Sequence, residues 1–377
     1  MKACLVAAEL ITPYGAGLEP CWQGLLAGRS AIAPLERFAT GAFGSSQAAV
    51  IAGLIYHGGT SLVMQMFAPL FASLAGEIPA DSRLLLATTK GEIDLLEQAL
   101  LTGAGDTAAS VPTRLLAKVA DLAGTTDPGT VISAACASSS AALARAAALI
   151  RAGQADSVLV AAGDAVSEFV YAGFSALMAL DPAPARPFDR NRAGLTVGEA
   201  AAVALVMSEE RALREGRPIL GEIAGWGLSD DANHMTGPSR DSAGLMAAIG
   251  RALATAGVTA DAIGLIGAHG TGTRYNDEME MRAFRALFAP VPVHSVKGAI
   301  GHTMGAAGLV EALVALRALH AGVAPPTVNL VEADDDAAGW VAAAPREVTA
   351  RVALLTNAGF GGVNSALVLR PAARAAA

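Results

Sequence analysis

Charge is scarce in this 377-residue chain: Asp, Glu, Lys and Arg together make up 16% of it, against 53% hydrophobic residues. Such a composition has much to bury and little to solvate, and it predicts a large buried interface of the kind that joins subunits. Positive charge is in particular deficit. With 26 Lys and Arg against 34 Asp and Glu, the formal net charge is −8, which disfavours a nucleic-acid partner. Cysteine is rarer still, with only Cys4, Cys21 and Cys136. An odd, irregularly spaced set argues against a disulfide framework and against a zinc site. Cys4 and Cys21 read as small core filler. No run of about 20 residues is free of charge and polar breaks, so no membrane span is expected. The apolar run after Met1 is too short for a signal sequence and stops at Glu9; it reads as a first strand. These features place the protein in the cytoplasm.

Short apolar runs alternate with longer Ala/Leu-rich stretches, the pattern of strands covered on both faces by helices. Strands are expected at 2–7, 84–88, 158–162, 201–206, 263–268, 352–355 and 366–369. Helices are expected at 136–152, 242–256, 278–288 and 304–321, with Asp277 and Glu280 spaced as a capping box for the third. The order of elements repeats weakly. In each part a strand comes first, then a turn that opens a small-residue helix, then two closing strands. Cys136 and His302 hold equivalent places in the two parts. A charged cluster around 208–218 reads as the link, giving halves of 1–214 and 215–377. Length alone allows two subdomains or one large α/β unit. The segment from Phe38 to Ser82 reads as one helix and a loop. Its Met/Phe stripe reads as core, with the lining of a substrate pocket as the alternative.

Cys136 lies where a buried strand runs into a helix, in Thr130-Val-Ile-Ser-Ala-Ala-Cys136-Ala-Ser-Ser-Ser-Ala-Ala-Leu143. Unpaired N–H groups and the helix dipole at that point favour the thiolate. Two imidazoles follow far downstream in Gly-rich segments, His269 and His302. One activatable sulfur and two separated imidazoles point to acyl transfer through a thioester.

The motifs together resemble those of β-ketoacyl-acyl-carrier-protein synthases of the Cys-His-His type. The resemblance runs through Trp22…Leu26-Ala-Gly28-Arg-Ser30, the Cys136 turn, Arg186-Pro-Phe-Asp189…Arg192-Ala-Gly194…Gly198-Glu199 and His269-Gly-Thr-Gly-Thr273. It continues through Lys297…His302-Thr-Met-Gly-Ala-Ala-Gly308 and Gly359-Phe-Gly-Gly362…Asn364. It implies an α/β, thiolase-like fold of two pseudo-duplicated halves in five αβαβα layers. It implies that Cys136 takes an acyl chain and that His269 and His302 act on a malonyl thioester, losing CO2. Lys297 and Glu311 would support the histidines. The backbone N–H groups of Cys136 and Phe360 would form an oxyanion hole, and Phe360 would gate the pocket. Thr271 and Thr273, with Gly359 and Gly361, would meet the pantetheine arm. Turn chemistry is the plainer reading of the threonines, and an exposed helix position that of Glu311. Asn357 and Asn364 read as structural. His57, His234, His294 and His320 read as packing or surface.

The resemblance implies no metal or redox cofactor, because the phosphopantetheine arrives on the carrier substrate. It implies an acyl carrier protein as partner, docked on a local basic patch. It also implies a dimer, identical or with a related chain, built by pairing the strand near Val158–Ala162 with its copy. Ala358 replaces a common second Phe. Arg192-Ala-Gly-Leu195 replaces Arg-Asp-Gly-Phe, removing a salt bridge and a ring. The 38–82 segment lacks the usual Arg-rich helix. These departures leave fatty-acid and polyketide or polyene pathways equally open. A non-catalytic chain-length-factor partner is the rival reading; those chains typically lose the Cys. A thiolase needs a second cysteine near the C-terminus, a Cys-His-Asn synthase needs Asn in place of His302, and no Gly-X-Ser-X-Gly elbow marks a serine hydrolase.

Overall fold

The computed structural model describes residues 1–56 and 59–372. His57 lies outside the described residues. The main path of the large sheet takes five strands from the first part of the chain: β1 (Ala3–Thr12), β2 (Arg83–Ala87), β3 (Thr130–Ile132), β4 (Ser157–Asp164) and β5 (Ala200–Ser208). Five come from the second: β6 (Gly221–Asp230), β7 (Leu265–Gly267), β8 (Val293–His294), β9 (Ala353–Gly359) and β10 (Val363–Pro371). The first set is ordered β1-β5-β4-β2-β3 and the second β6-β10-β9-β7-β8. The pairing senses match as well: two antiparallel pairs and then two parallel pairs in each. The expected duplication is therefore present strand for strand. A two-rung antiparallel contact joins the sets, Cys4 opposite Glu222 and Leu5 opposite Gly221.

Strand period explains the layers, because alternate residues face opposite sides. On β4, Val158, Val160 and Ala162 face one apolar core while Leu159 and Ala161 face another. On β10, Leu367 and Leu369 join that same first core while Ala366 and Val368 face a third. The shared core holds helices α3 (Ser138–Arg151) and α7 (Ala307–Ala321). The outer core of the first half holds α1 (Leu62–Ser73) and α2 (Pro112–Ala123). That of the second half holds α5 (Ala243–Ala256) and α6 (Arg274–Leu287). One shorter helix, α4 (Glu168–Ala176), lies nearer the site. The result is a five-layered αβαβα, thiolase-like fold.

Small residues let the middle layer close. A side chain at Gly308 of α7 would stand 1.9 Å from Ser140 Oγ of α3. Met304–Ala321 is apolar and long enough to cross a membrane, but 83% of it is buried in the protein, as a central core helix should be.

Two expectations need correction. The strand at 158–162 lies inside the sheet, paired on both sides by β5 and β2, so no ladder remains for a copy of itself. The outer edge of the first half is β3. The Met/Phe stripe of α1 is core, as expected: Met66, Phe67, Leu70 and Phe71 pack in the outer layer. Asp277 and Glu280 do not cap their helix. The helix starts earlier, at Arg274, with Thr273 at its N-cap, and both acids serve a neighbouring loop.

Helix α5 lies close on β6 because that strand carries Gly225 and Gly227. A Cβ at Gly227 would fall 2.0 Å from Ala248 O. Gly227→Ala is expected to cost about 1–3 kcal/mol, read as a lower denaturant midpoint. An unchanged midpoint would contradict this packing.

Candidate active site

Cys136 follows β3 through a tight elbow. Ala135 takes a φ of +48°, a left-handed conformation that L residues rarely adopt. Ser138 holds the elbow: its Oγ donates to Ala135 O at 2.6 Å and accepts from Ala134 N at 2.9 Å. The thiol is thus set just before the start of α3.

His269 sits after β7 in a loop whose amides are gathered by two buried carboxylates of α6. Glu280 accepts from His269 N at 2.8 Å and Gly270 N at 2.7 Å. Asp277 Oδ1 accepts from Thr271 N at 3.1 Å, and its Oδ2 from Phe188 N at 2.8 Å. A loop of free amides would be costly to bury; these acids satisfy it. Burial pushes the Glu280 carboxyl up to about 7. These two residues, and Asn357 below, were not recognised from the sequence. The available signal was a pair of acids three residues apart on a helix that buries Met279, Ala283 and Phe284.

His302 precedes α7, as Cys136 precedes α3. Its backbone N–H donates to Thr196 O at 2.7 Å. Its Nδ1 accepts from Met304 N at 3.2 Å. The three functional atoms of Cys136, His269 and His302 lie within 4.8 Å of one another. The two imidazole rings meet edge to face with centroids 5.1 Å apart.

Beneath the imidazoles lies a buried pair, Lys297 and Glu311, 1% and 3% exposed at the side chain. Lys297 Nζ donates to Glu311 and, at 2.5 Å, to His269 O. Asn357 Nδ2 donates to Glu311 Oε2 at 2.6 Å and approaches His269 Nδ1 at 3.4 Å. Glu311 is therefore part of a closed network and not an exposed helix residue, and Asn357 belongs to it too.

The electrostatics follow from this burial. Desolvation first, then the Lys297 charge, holds both imidazoles well below their ordinary range. Both rings are neutral at pH 7. Nδ1 of each accepts a hydrogen bond, so Nε2 carries the proton in each. The site therefore presents two N–H donors beside one sulfur. A Cys and two His are also metal-ligand types. Burial pushes the Cys136 thiol up to about 11, with Lys297 and the Phe360 N–H pulling the other way. Burial thus opposes the pull toward thiolate that the helix start exerts.

A cavity of about 420 Å³ opens onto these groups. Thr271 and Thr273 line it with their hydroxyls 2.8 Å apart. Gly359, Ala358 and Phe360 line it as well. Gly359 passes so near the Cys136 turn that a Cβ would stand 3.2 Å from Cys136 N. Phe360 packs on Phe174 of α4 at 5.9 Å, and Phe174 faces His302 at 6.4 Å. Gly361 lies off the cavity. It shapes the loop, with φ +92°, and donates to Met235 O at 2.8 Å. His234, expected to be packing or surface, is exposed and lines the cavity. Arg192 keeps ion pairs despite the altered motif, reaching Asp334 at 2.5 Å. Asn364 stays structural, donating to Asp231 Oδ1 at 2.8 Å.

Comparison with known proteins agrees with this geometry. The family "Beta-ketoacyl synthase, N-terminal domain" matches residues 87–212, and "Beta-ketoacyl synthase, C-terminal domain" matches 220–331. The chain is 30% identical to 3-oxoacyl-[acyl-carrier-protein] synthase 2 of Vibrio cholerae over 98% of its own length and 99% of that protein. It is 40% identical to the tetracenomycin polyketide synthase ketoacyl synthase alpha subunit of Streptomyces glaucescens, across 69% of this chain and 64% of the other. Among solved structures, the ishigamide ketosynthase/chain length factor superposes with a TM-score of 0.88 at 32% identity, over 99% of both chains. The chain belongs to the β-ketoacyl synthase family, whose members are acyltransferase-type condensing enzymes.

A raised thiol makes a prediction. Alkylation of Cys136 by iodoacetamide should be slower at pH 7 than for a free thiol and should keep rising through about pH 10. The measurement is modified mass against pH, with Cys136→Ala giving the background from Cys4 and Cys21. A plateau already at neutral pH would contradict the buried, protonated thiol.

Proposed function

We propose that this protein catalyses decarboxylative condensation of an acyl chain with malonyl-acyl-carrier protein, to give 3-oxoacyl-carrier protein. The observation that supports it most is the placement of two Nε2–H donors beside one buried thiol, with Cys136 and His302 each just before a helix of the shared layer and His269 on a loop between them. Cys136 Sγ attacks the acyl thioester carbon, and the pantetheine sulfur leaves with the thiol proton. The oxyanion formed in passing would accept from the Cys136 and Phe360 amides, which the Gly359 approach brings together. Malonyl then loses CO2. The negative charge moves to its thioester oxygen, where the His269 and His302 donors hold it. The carbanion attacks the acyl carbon, and Sγ leaves and takes up one proton.

In this reading Lys297, Glu311 and Asn357 keep the imidazoles neutral and aligned. Thr271 and Thr273 receive the pantetheine arm, and Gly359 leaves room for it. No metal or redox group has a step to perform. A carrier protein brings the phosphopantetheine. The cavity rim offers it Arg274 and Tyr275, with Arg240 stacked 5.0 Å from the Tyr275 ring, a basic and aromatic face suited to an acidic carrier. A second copy or a related chain would pair along the free edge of β3. The division into 1–214 and 215–377 follows the single β5–β6 passage between the two strand sets. Three unpaired cysteines suit a reducing cytoplasm. The non-catalytic partner reading is disfavoured by the complete Cys136, His269, His302 and Lys297 set.

The two half-reactions separate the roles. His302→Ala should still accept an acyl group on Cys136 but lose malonyl decarboxylation by about 10²-fold or more. Carbon dioxide release from malonyl-carrier protein and acyl-enzyme formation are measured side by side. Full elongation by that variant would sink the assignment.

A further inference from the structure

Asp164 ends β4 and is 1% exposed, yet the chemistry above gives it no task. All its hydrogen-bond partners are hydroxyls and amides. Thr88 Oγ1 donates to it at 2.7 Å, Thr89 Oγ1 at 2.9 Å, Thr89 N at 3.0 Å, Lys90 N at 3.2 Å and Gly305 N at 2.7 Å. Five donors around one carboxyl group suit its ionised form, which only accepts. Burying an anion with no cation against it among the described residues is expensive, and such sites persist where a geometry must be held.

What it holds is the turn after His302. Met304 adopts a φ of +53°, the left-handed region that L side chains avoid. Its N–H is the donor that fixes His302 Nδ1 as an acceptor. The next amide, Gly305 N–H, is the one Asp164 takes. The fit leaves no slack, since a Cβ on Gly305 would lie 2.6 Å from Asp164 Oδ2. With both oxygens Asp164 also gathers the Thr88–Lys90 turn that follows β2. One carboxylate therefore fastens a turn of the first half to the His302 turn of the second.

We propose that Asp164 is a positioning residue that sets the tautomer of His302 through the Met304–Gly305 turn. Without the carboxylate, Gly305 N–H loses its acceptor and Met304 relaxes from its strained conformation. His302 Nδ1 then loses its donor, and the ring proton is free to move from Nε2 to Nδ1. Nε2 becomes an acceptor and no longer stabilises a negative oxygen. The proposal rests on His302 acting as a donor at the reaction centre.

The test uses two variants of the full chain. Asp164→Asn replaces the anion by a group that also donates. Thr89→Val keeps the carboxylate but removes one hydroxyl donor, and it perturbs folding less. The tautomer of His302 is read by nuclear magnetic resonance on isotope-labelled histidine, assigned with His302→Ala. Acylation and malonyl decarboxylation are measured in parallel. Wild type should show His302 protonated on Nε2 alone. Asp164→Asn should show an Nδ1-protonated population, with decarboxylation down about ten-fold or more and acylation within about two-fold. Thr89→Val should move both readouts the same way by about three-fold. An intact Nε2–H tautomer in both variants would overturn the proposal. So would an equal fall of both rates in step with the melting temperature. A shifted tautomer with undiminished decarboxylation would uphold the positioning role and overturn the task assigned to His302.

Discussion

Everything at the centre of this molecule depends on one buried ion pair, Lys297 with Glu311. Lys297 and Glu311 are each almost fully enclosed, and their attraction is strong only because the surroundings are dry. Breaking such a pair by removing one partner typically costs about 3–5 kcal/mol. Here the pair also sets the chemistry. The Lys297 charge adds to burial in keeping both imidazoles neutral, and it draws on the Cys136 thiol in the opposite sense. One ammonium thus biases three groups, each in the direction that acyl transfer and decarboxylation require.

The fold supplies the enclosure by repetition. Two strand sets of the same order each deliver one small-residue helix to a shared middle layer. Each helix begins beside a strained residue, Ala135 before Cys136 and Met304 after His302. Strain of this kind costs about 1–3 kcal/mol per residue and survives only where neighbours over-determine it. Ser138 does this at the first turn, while Asp164 reaches across to the second. The third functional group, His269, has no helix of its own to open. Asp277 and Glu280 hold its loop from the side instead.

Much of this was legible in the chain because it is written in short-range pattern. Apolar runs and Ala-rich helices revealed the duplication, a strand running into a small-residue helix marked Cys136, and Gly-rich segments marked His269, His302 and the 359–362 loop. The failures share a cause, which is that they depend on what a residue meets across the fold. Asp277 and Glu280 had the spacing of a capping box, but their partners are amides of another segment. Val158–Ala162 read correctly as a strand, yet its place inside the sheet follows from pairing that sequence does not show. Helix-start chemistry pointed to a thiolate, whereas the depth of burial, invisible locally, favours the thiol. Asn357 looked like a turn residue and proved to bridge Glu311 and His269.

The central claim is that Cys136 carries the acyl chain. Its most direct test is the intact mass of the protein after incubation with a panel of acyl-carrier thioesters, alongside Cys136→Ala. The account predicts a mass gain equal to one acyl group on the wild type and none on the variant. An equal gain on both, or no gain with any chain in the presence of a related partner chain, would contradict it.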